Sequence, residues 1–259
     1  MPNSLIPTQS PEERELQRQL GELATIQSDL AQSELDLATK QTSLRSFETR
    51  YLSKIGTRLA RLDQIIFSIA EHRAKRSPQD NKLNSDAEKA RSRAKASADT
   101  VRGLDPDAAK EFHPSEELKK LYRQAARKVH PDLGSSETDR ARRDVSMRQL
   151  NDAYERGDIE AIRGIIAEFE ADPNAIQGED IAARLIRTIR MIAQVRRRID
   201  QIVVVLQTIE KSDIYQLYMK AEQTRAQGKD LLFSMAEQLD EEIALAMANL
   251  GQLTAEKNA

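Results

Sequence analysis

The sequence predicts an all-α protein built on long helices that are exposed to solvent. Of its 259 residues, 32% are charged and only 4% are aromatic, a composition typical of long helices and not of one large globular core. Leucines recur at every seventh position over a long N-terminal stretch, and no segment shows the alternating pattern of a strand. We therefore predict a stalk of coiled-coil or helical-bundle type that carries a shorter helical hairpin.

The first long helix is predicted over residues 11–76, after a flexible N-terminus at 1–10. Pro11 followed by two glutamates is a typical helix start. Some heptad positions are polar, and in a parallel homodimer Glu34 and Glu48 would each face their own copy. We therefore predict an antiparallel coiled coil, either within one chain or in a homo-oligomer. The heptad leucines are Leu16, Leu23, Leu30, Leu37 and Leu44.

A second set of long helices is predicted over residues 173–259. Apolar residues recur at helical spacing between 180 and 210, and Ser212-Asp213 marks a break or a cap before the pattern resumes. The simplest prediction is an antiparallel stalk formed by the two long segments. Residues 77–111 are predicted as a linker or weak helix because they contain few large apolar side chains.

The remaining segment, residues 112–172, is predicted to be a separate helical module. Its first helix has five basic and two acidic residues between 115 and 130 and stops at His130-Pro131-Asp132. Proline cannot continue a helix and keeps the preceding residue out of helical geometry. We therefore expect the side chains of His130 and Asp132 to point outward from a stiffened backbone.

This module resembles the J domain of DnaJ-type co-chaperones. The match to the family's second helix and tripeptide is carried by Leu118, Lys119, Lys120, Tyr122, Arg123, Ala126, Lys128, His130, Pro131 and Asp132. The match to its third helix is carried by Met147, Leu150, Asn151, Ala153, Tyr154 and Glu155. The family's first helix, with its Y-x-x-L-G-V segment, is absent. Phe112 is expected to supply the missing apolar contact, after a turn capped at Asp105-Pro106-Asp107.

The resemblance implies a protein that is not itself an enzyme. It implies docking on a DnaK-type ATPase chaperone, stimulation of ATP hydrolysis there, and a client protein that the sequence does not identify. The alternative is a coiled-coil scaffold or adaptor with a degenerate J-like hairpin and no chaperone activity. The contact residues that the resemblance implies are His130, Pro131, Asp132, Lys119, Lys120, Tyr122, Arg123, Lys128 and Asn151.

A second candidate site is a group of arginines with no acidic residue between Ile181 and Ile199. Such a group could bind nucleic acid or anionic lipid by neutralising phosphates. It could instead pair with acidic residues of a neighbouring helix, such as Glu34, and so fix the register. We favour register pairing over nucleic-acid binding. The arginines are Arg184, Arg187, Arg190, Arg197 and Arg198.

Other classes of site find no support in the sequence. The absence of cysteine excludes disulfides and thiolate chemistry. No phosphate-binding glycine loop and no histidine cluster indicates a cofactor or a metal. The N-terminus lacks the features of a signal peptide, and the longest apolar run, Ile202–Leu206, is far too short to span a bilayer. We therefore predict a cytoplasmic protein without membrane association.

Overall fold

The computed structural model describes residues 10–104, 111–134, 136–170 and 180–255, and these residues form helices without strands, which confirms the predicted all-α fold. Residues 1–9 of the predicted flexible N-terminus and the predicted cap at Asp105-Pro106-Asp107 lie outside the described residues. The elements are α1 (Pro11–Tyr51), a π-helical turn (Leu52–Gly56), α2 (Thr57–Arg76), α3 (Asn81–Val101), α4 (Glu116–Val129), a 3-10 turn (Pro131–Leu133), α5 (Glu137–Arg156), α6 (Ile159–Glu170), α7 (Ile181–Glu210), α8 (Asp213–Ala226) and α9 (Leu231–Ala255).

Local chemistry sets several helix ends. Ser10 and Glu13 cap α1 reciprocally, because the Glu13 N–H donates to Ser10 Oγ at 3.1 Å and the Ser10 N–H donates to Glu13 Oε2 at 2.8 Å. Gly157 ends α5 with a φ of 69°, in the left-handed region that glycine adopts most readily. Ser212 accepts a hydrogen bond from the Tyr215 N–H and caps α8, which confirms the predicted break.

The described residues fall into two compact units, and each combines an N-terminal and a C-terminal stretch of the chain. The first unit comprises the described residues within Met1–Thr42 and Phe112–Lys211. The second comprises those within Ser43–Glu111 and Ser212–Ala259. The described residues of the predicted module at 112–172 therefore share their unit with the N-terminal part of α1 and with α7.

The main core of the first unit lies among α4, α5 and α6. Its centre is formed by Tyr122, Tyr154 and Ile162, all fully buried. α1 contributes Ala31 and Leu35 to the same cluster. α1 and α6 thus both pack against the hairpin of α4 and α5.

Phe112 packs against this core, and its ring meets that of Tyr154 edge-on with centroids 5.5 Å apart. The expectation that Phe112 supplies an apolar contact to the module is confirmed.

A second cluster joins α1 to α7 through Leu30, Leu37, Val195 and Ile202. Leu133, from the 3-10 turn that follows α4, packs against it. The turn at the tip of the J-like hairpin therefore lies beside both long helices of the first unit.

The predicted antiparallel direction of this pairing is wrong. Glu22 pairs with Arg196 and Lys40 pairs with Glu210, so positions rise along both helices in the same order and α1 runs parallel to α7. The prediction assumed that a parallel partner would place Glu34 against an identical residue. Within one chain the partner helix has a different sequence and supplies arginine there, so the like-charge clash does not arise.

The second unit contains a hairpin of α2 and α3, with α9 packed along α2. Arg58 of α2 pairs with Asp240 of α9. The Asp80 carboxylate accepts from two backbone N–H groups and caps α3, a regular helix of 21 residues in which only Ala94 is buried. The core of this unit is formed by Phe47, Ile55, Leu232 and Ala236.

Within the described ranges, no helix combines the length and the apolarity that crossing a bilayer requires.

Candidate functional site

The His-Pro-Asp loop lies between α4 and α5. His130 has φ −62° and ψ 131°, the extended backbone expected before proline. Its side chain, however, is only 2% exposed, so the prediction that His130 points outward is wrong. Pro131 and Asp132 are partly exposed at the surface of the turn. The backbone geometry thus followed from the tripeptide itself, whereas the burial depends on what packs against it.

The His130 ring is held at both nitrogens. Nε2 lies 2.9 Å from Glu34 Oε1, and Nδ1 accepts a hydrogen bond from the Asp132 N–H at 3.2 Å. A nitrogen that accepts cannot carry a proton, so the arrangement fits the tautomer whose hydrogen is on Nε2 and is donated to the Glu34 carboxylate.

Glu34 connects this ring to α7. Arg198 Nε donates to the same Glu34 oxygen at 2.8 Å, and the Glu34 side chain is only 4% exposed. We refer to Glu34, His130 and Arg198 as the Glu34 clamp. It ties together α1, the loop after α4, and α7.

Electrostatics within the Glu34 clamp favour the ionised carboxylate. Burial by itself raises the pKa of Glu34, because a low dielectric penalises charge. The hydrogen bonds from His130 and Arg198, together with the charge of Arg198, outweigh burial and hold the pKa of Glu34 below its ordinary value. The buried carboxylate is therefore stabilised in its charged form.

Part of the basic face of α4 is turned towards α1. Arg123 donates to Gln32 Oε1 at 3.1 Å, and Arg127 donates to the Ser28 hydroxyl. Arg123 was among the predicted chaperone contacts, whereas Arg127 was not. Both cations are engaged within the chain in this conformation.

The lysines of the predicted contact surface are distributed differently. Lys120 is exposed. Lys119 is half-buried and pairs with Glu116 one turn earlier at 2.8 Å. Lys128 is also half-buried. Of the three lysines, Lys120 is the most open to an approaching partner.

Tyr122 and Asn151 join the two helices of the hairpin. The Tyr122 hydroxyl donates to Asn151 Oδ1 at 2.7 Å. Burial raises the pKa of Tyr122 well above its ordinary value, so its hydroxyl stays protonated and able to donate. Tyr122 is fully buried, whereas Asn151 is exposed. In this conformation Tyr122 packs the hairpin and does not face solvent.

The predicted arginine group of α7 divides into separate roles. Arg198 pairs with Glu34, which is the register pairing that we favoured. Arg184, Arg190 and Arg197 are exposed, whereas Arg187 is half-buried. Arg184, Arg190 and Arg197 therefore lie open to solvent, whereas Arg198 is engaged with Glu34.

Sequence reasoning did not join Glu34 to His130, although it singled out both. The available signal was a glutamate at a heptad position that is normally apolar, because a polar residue on a buried seam requires a partner. Within the described ranges, no group of three or more histidine, aspartate or glutamate side chains is placed to hold a metal ion.

Comparisons with family models, with curated proteins and with solved structures found no match to this chain.

Proposed function

We propose that this chain is a J-domain co-chaperone which the Glu34 clamp holds in a closed conformation. The observation that carries the proposal is the hairpin of α4 and α5. These are the two helices on which the resemblance rests, and they pack on each other with the tripeptide at their connecting turn. Tyr122 and Asn151, both part of the matched pattern, form the hydrogen bond that fixes the pair.

The exposed part of the hairpin is suited to meeting an acidic surface. Lys120 is open to solvent, and the Asp132 side chain is one-third exposed at the turn. A local excess of positive charge accelerates and orients an encounter more than it adds affinity. The tripeptide performs no chemistry in this mechanism. It biases the ATPase of the bound chaperone by contacting one of its conformations better than the other.

The Glu34 clamp sets a condition on that encounter. A partner that contacts the His130 ring must first separate it from Glu34, which is almost fully buried with it. Breaking a buried charged hydrogen bond is costly. The open conformation that can dock is therefore a minor fraction of the molecules when no partner is bound. A partner or client that stabilises the open form would activate the protein by shifting this equilibrium.

The second candidate function, a scaffold without chaperone activity, is favoured by the burial of His130. In that case the ring serves only to fasten the turn to α1 and α7. The tripeptide would then have a packing role only. ATP hydrolysis by a chaperone would be unchanged whether the clamp is intact or weakened.

Single-turnover ATP hydrolysis by a DnaK-type chaperone, measured with the full chain, separates the two candidates. Asp132→Asn is the informative docking variant because Asp132 is partly exposed. His130→Gln is a poor choice, since it also alters a buried contact. Asp144→Asn, on the exposed side of α5, is the matched control.

A variant that weakens the clamp completes the design. Arg198→Ala removes one of the two side-chain partners of Glu34, and Arg197→Ala, at the exposed neighbouring position, is its control. We expect Arg198→Ala to stimulate hydrolysis more than the wild type, and Asp132→Asn to abolish stimulation in either background. No stimulation by the wild type or by folded Arg198→Ala, with a chaperone that responds to another J-domain protein, would reject the proposal in favour of the scaffold.

A further inference from the structure

The solvent-facing side of α7 is not a purely polar surface. Ile186 is 53% exposed and Val204 is 61% exposed, and at 3.6 residues per turn these two lie on the same side, about five turns apart. The side chains between them on that side are all exposed: Arg190, Ala193, Arg197 and Asp200. α7 therefore presents an apolar residue at each end of the stretch, with charged residues between.

This stretch is complementary to itself when reversed. A second α7 running antiparallel, with the two-fold axis at the height of Val195 but on the opposite, solvent-facing side of the helix, places Ile186 opposite Val204 and Arg190 opposite Asp200. A two-fold axis repeats every contact, so two apolar pairs and two ion pairs form at once. Ala193, the smallest side chain of the stretch, then lies opposite the long Arg197.

We propose that this side of α7 is a self-association surface, and that its partner is a second copy of this chain in antiparallel orientation. The apolar pairs supply the driving force, since they remove exposed isoleucine and valine from water. The pairs of Arg190 and Asp200 set the register, as flanking charges do in coiled coils. Self-association through this side of α7 does not require the proposed co-chaperone activity.

A shift of one heptad gives a competing register that fits less well. It would place Arg197 opposite Asp200, but Ile186 would then lie opposite Lys211, which is exposed. The register centred on Val195 satisfies charge and apolar contact together. Ile186 and Arg190 also line a cleft of about 450 Å³ with Gly134 and Arg140, so the surface at this end of the stretch is concave.

The surface is narrow, so the dimer is expected to be reversible. One pair of helix faces buries less than the roughly 1,600 Å² of a standard stable interface. Sedimentation velocity of the full chain, over about two orders of magnitude in concentration, should show a monomer–dimer equilibrium.

Charge reversal tests the register directly. In Arg190→Asp, both ion pairs of the homodimer become acid against acid, and in Asp200→Arg both become base against base. Each variant alone should dimerise at least about tenfold more weakly than the wild type. An equimolar mixture of the two should recover wild-type affinity, because in the mixed dimer each reversed residue meets one of opposite charge.

Arg197→Asp is the control for the shifted register. It should change the affinity by less than about threefold, since Arg197 lies opposite Ala193 in the proposed arrangement. Circular dichroism checks that each variant is folded, as expected for substitutions of exposed residues. A wild-type chain that stays monomeric throughout, single variants that dimerise as well as the wild type, or a mixture that fails to recover would each overturn the proposal.

Discussion

Glu34 in the first unit and Asp63 in the second are buried to the same extent, each with 4% of its side chain exposed. The two carboxylates differ in where their partners come from. Glu34 is bonded to His130 and to Arg198, which lie 96 and 164 positions away along the chain. Asp63 instead contacts Arg93 and Ser97, which both lie on the single helix α3.

The contacts of Asp63 are also less well aligned and closer to solvent than those of Glu34. Arg93 Nε lies 2.8 Å from Asp63 Oδ1, but this oxygen accepts no well-aligned hydrogen bond. Ser97 donates to Oδ2. Arg93 is 68% exposed and can be solvated without Asp63. The comparison shows that equal burial does not mean equal structural importance: Glu34 joins three distant elements, whereas Asp63 joins two adjacent helices of a hairpin.

The largest effect is expected from Glu34→Ala. It leaves the buried His130 without its carboxylate acceptor and Arg198 without its counter-charge. Loss of one partner of a buried charged contact typically destabilises by about 3–5 kcal/mol. Urea denaturation followed by circular dichroism measures the change. The control, Glu48→Ala at an exposed position of α1, should stay within about 0.5 kcal/mol of the wild type.

A smaller loss, about 1–2 kcal/mol, is expected from Asp63→Ala. Arg93 remains solvated, and the Ser97 hydroxyl is also 3.0 Å from the carbonyl oxygen of Arg93 and keeps that acceptor. Asp99→Ala, at an exposed position of α3, is the control in the same denaturation experiment. A loss equal to that of Glu34→Ala would show that burial alone determines the cost.

Removal of the arginine partners, Arg198 of Glu34 and Arg93 of Asp63, should have unequal effects on stability. The Arg198 side chain is 35% exposed, so Arg198→Ala should cost more than Arg93→Ala, which should cost less than about 1 kcal/mol. Double-mutant cycles provide the measurement. We expect a coupling free energy of about 1–2 kcal/mol between Glu34 and Arg198, and almost none between Asp63 and Arg93. Equal coupling in the two pairs would contradict the proposed difference.

The smallest effect concerns pH. Because the pKa of Glu34 is lowered in the folded state from its ordinary value of 4.5, its ionisation stabilises the fold above that value, and this contribution is lost as the pH falls through the folded-state pKa. The free energy of unfolding, measured from pH 6 downward, should therefore fall more steeply for the wild type than for Glu34→Gln. Parallel curves for the two proteins would contradict the assignment.

The sequence alone determined much of the local structure. The repeated leucines identified the buried face of α1, of which Leu23, Leu30 and Leu37 are members. Local capping residues marked helix ends, as at Ser212. The tripeptide fixed the extended backbone of His130, because the proline restriction acts on the adjacent residue whatever surrounds it. All of these features depend on interactions within a few positions.

Only the tertiary structure decided the direction of α1 against α7 and the burial of His130. Helical periodicity states which face of a helix is apolar, but that face packs equally well on a parallel or an antiparallel neighbour. In the observed parallel arrangement, α7 places Arg198 opposite Glu34. Likewise, a histidine displayed at a helix end is open or buried according to what packs on it. His130 is buried against Glu34, which lies 96 positions earlier in the chain. No local sequence pattern carries information over that distance.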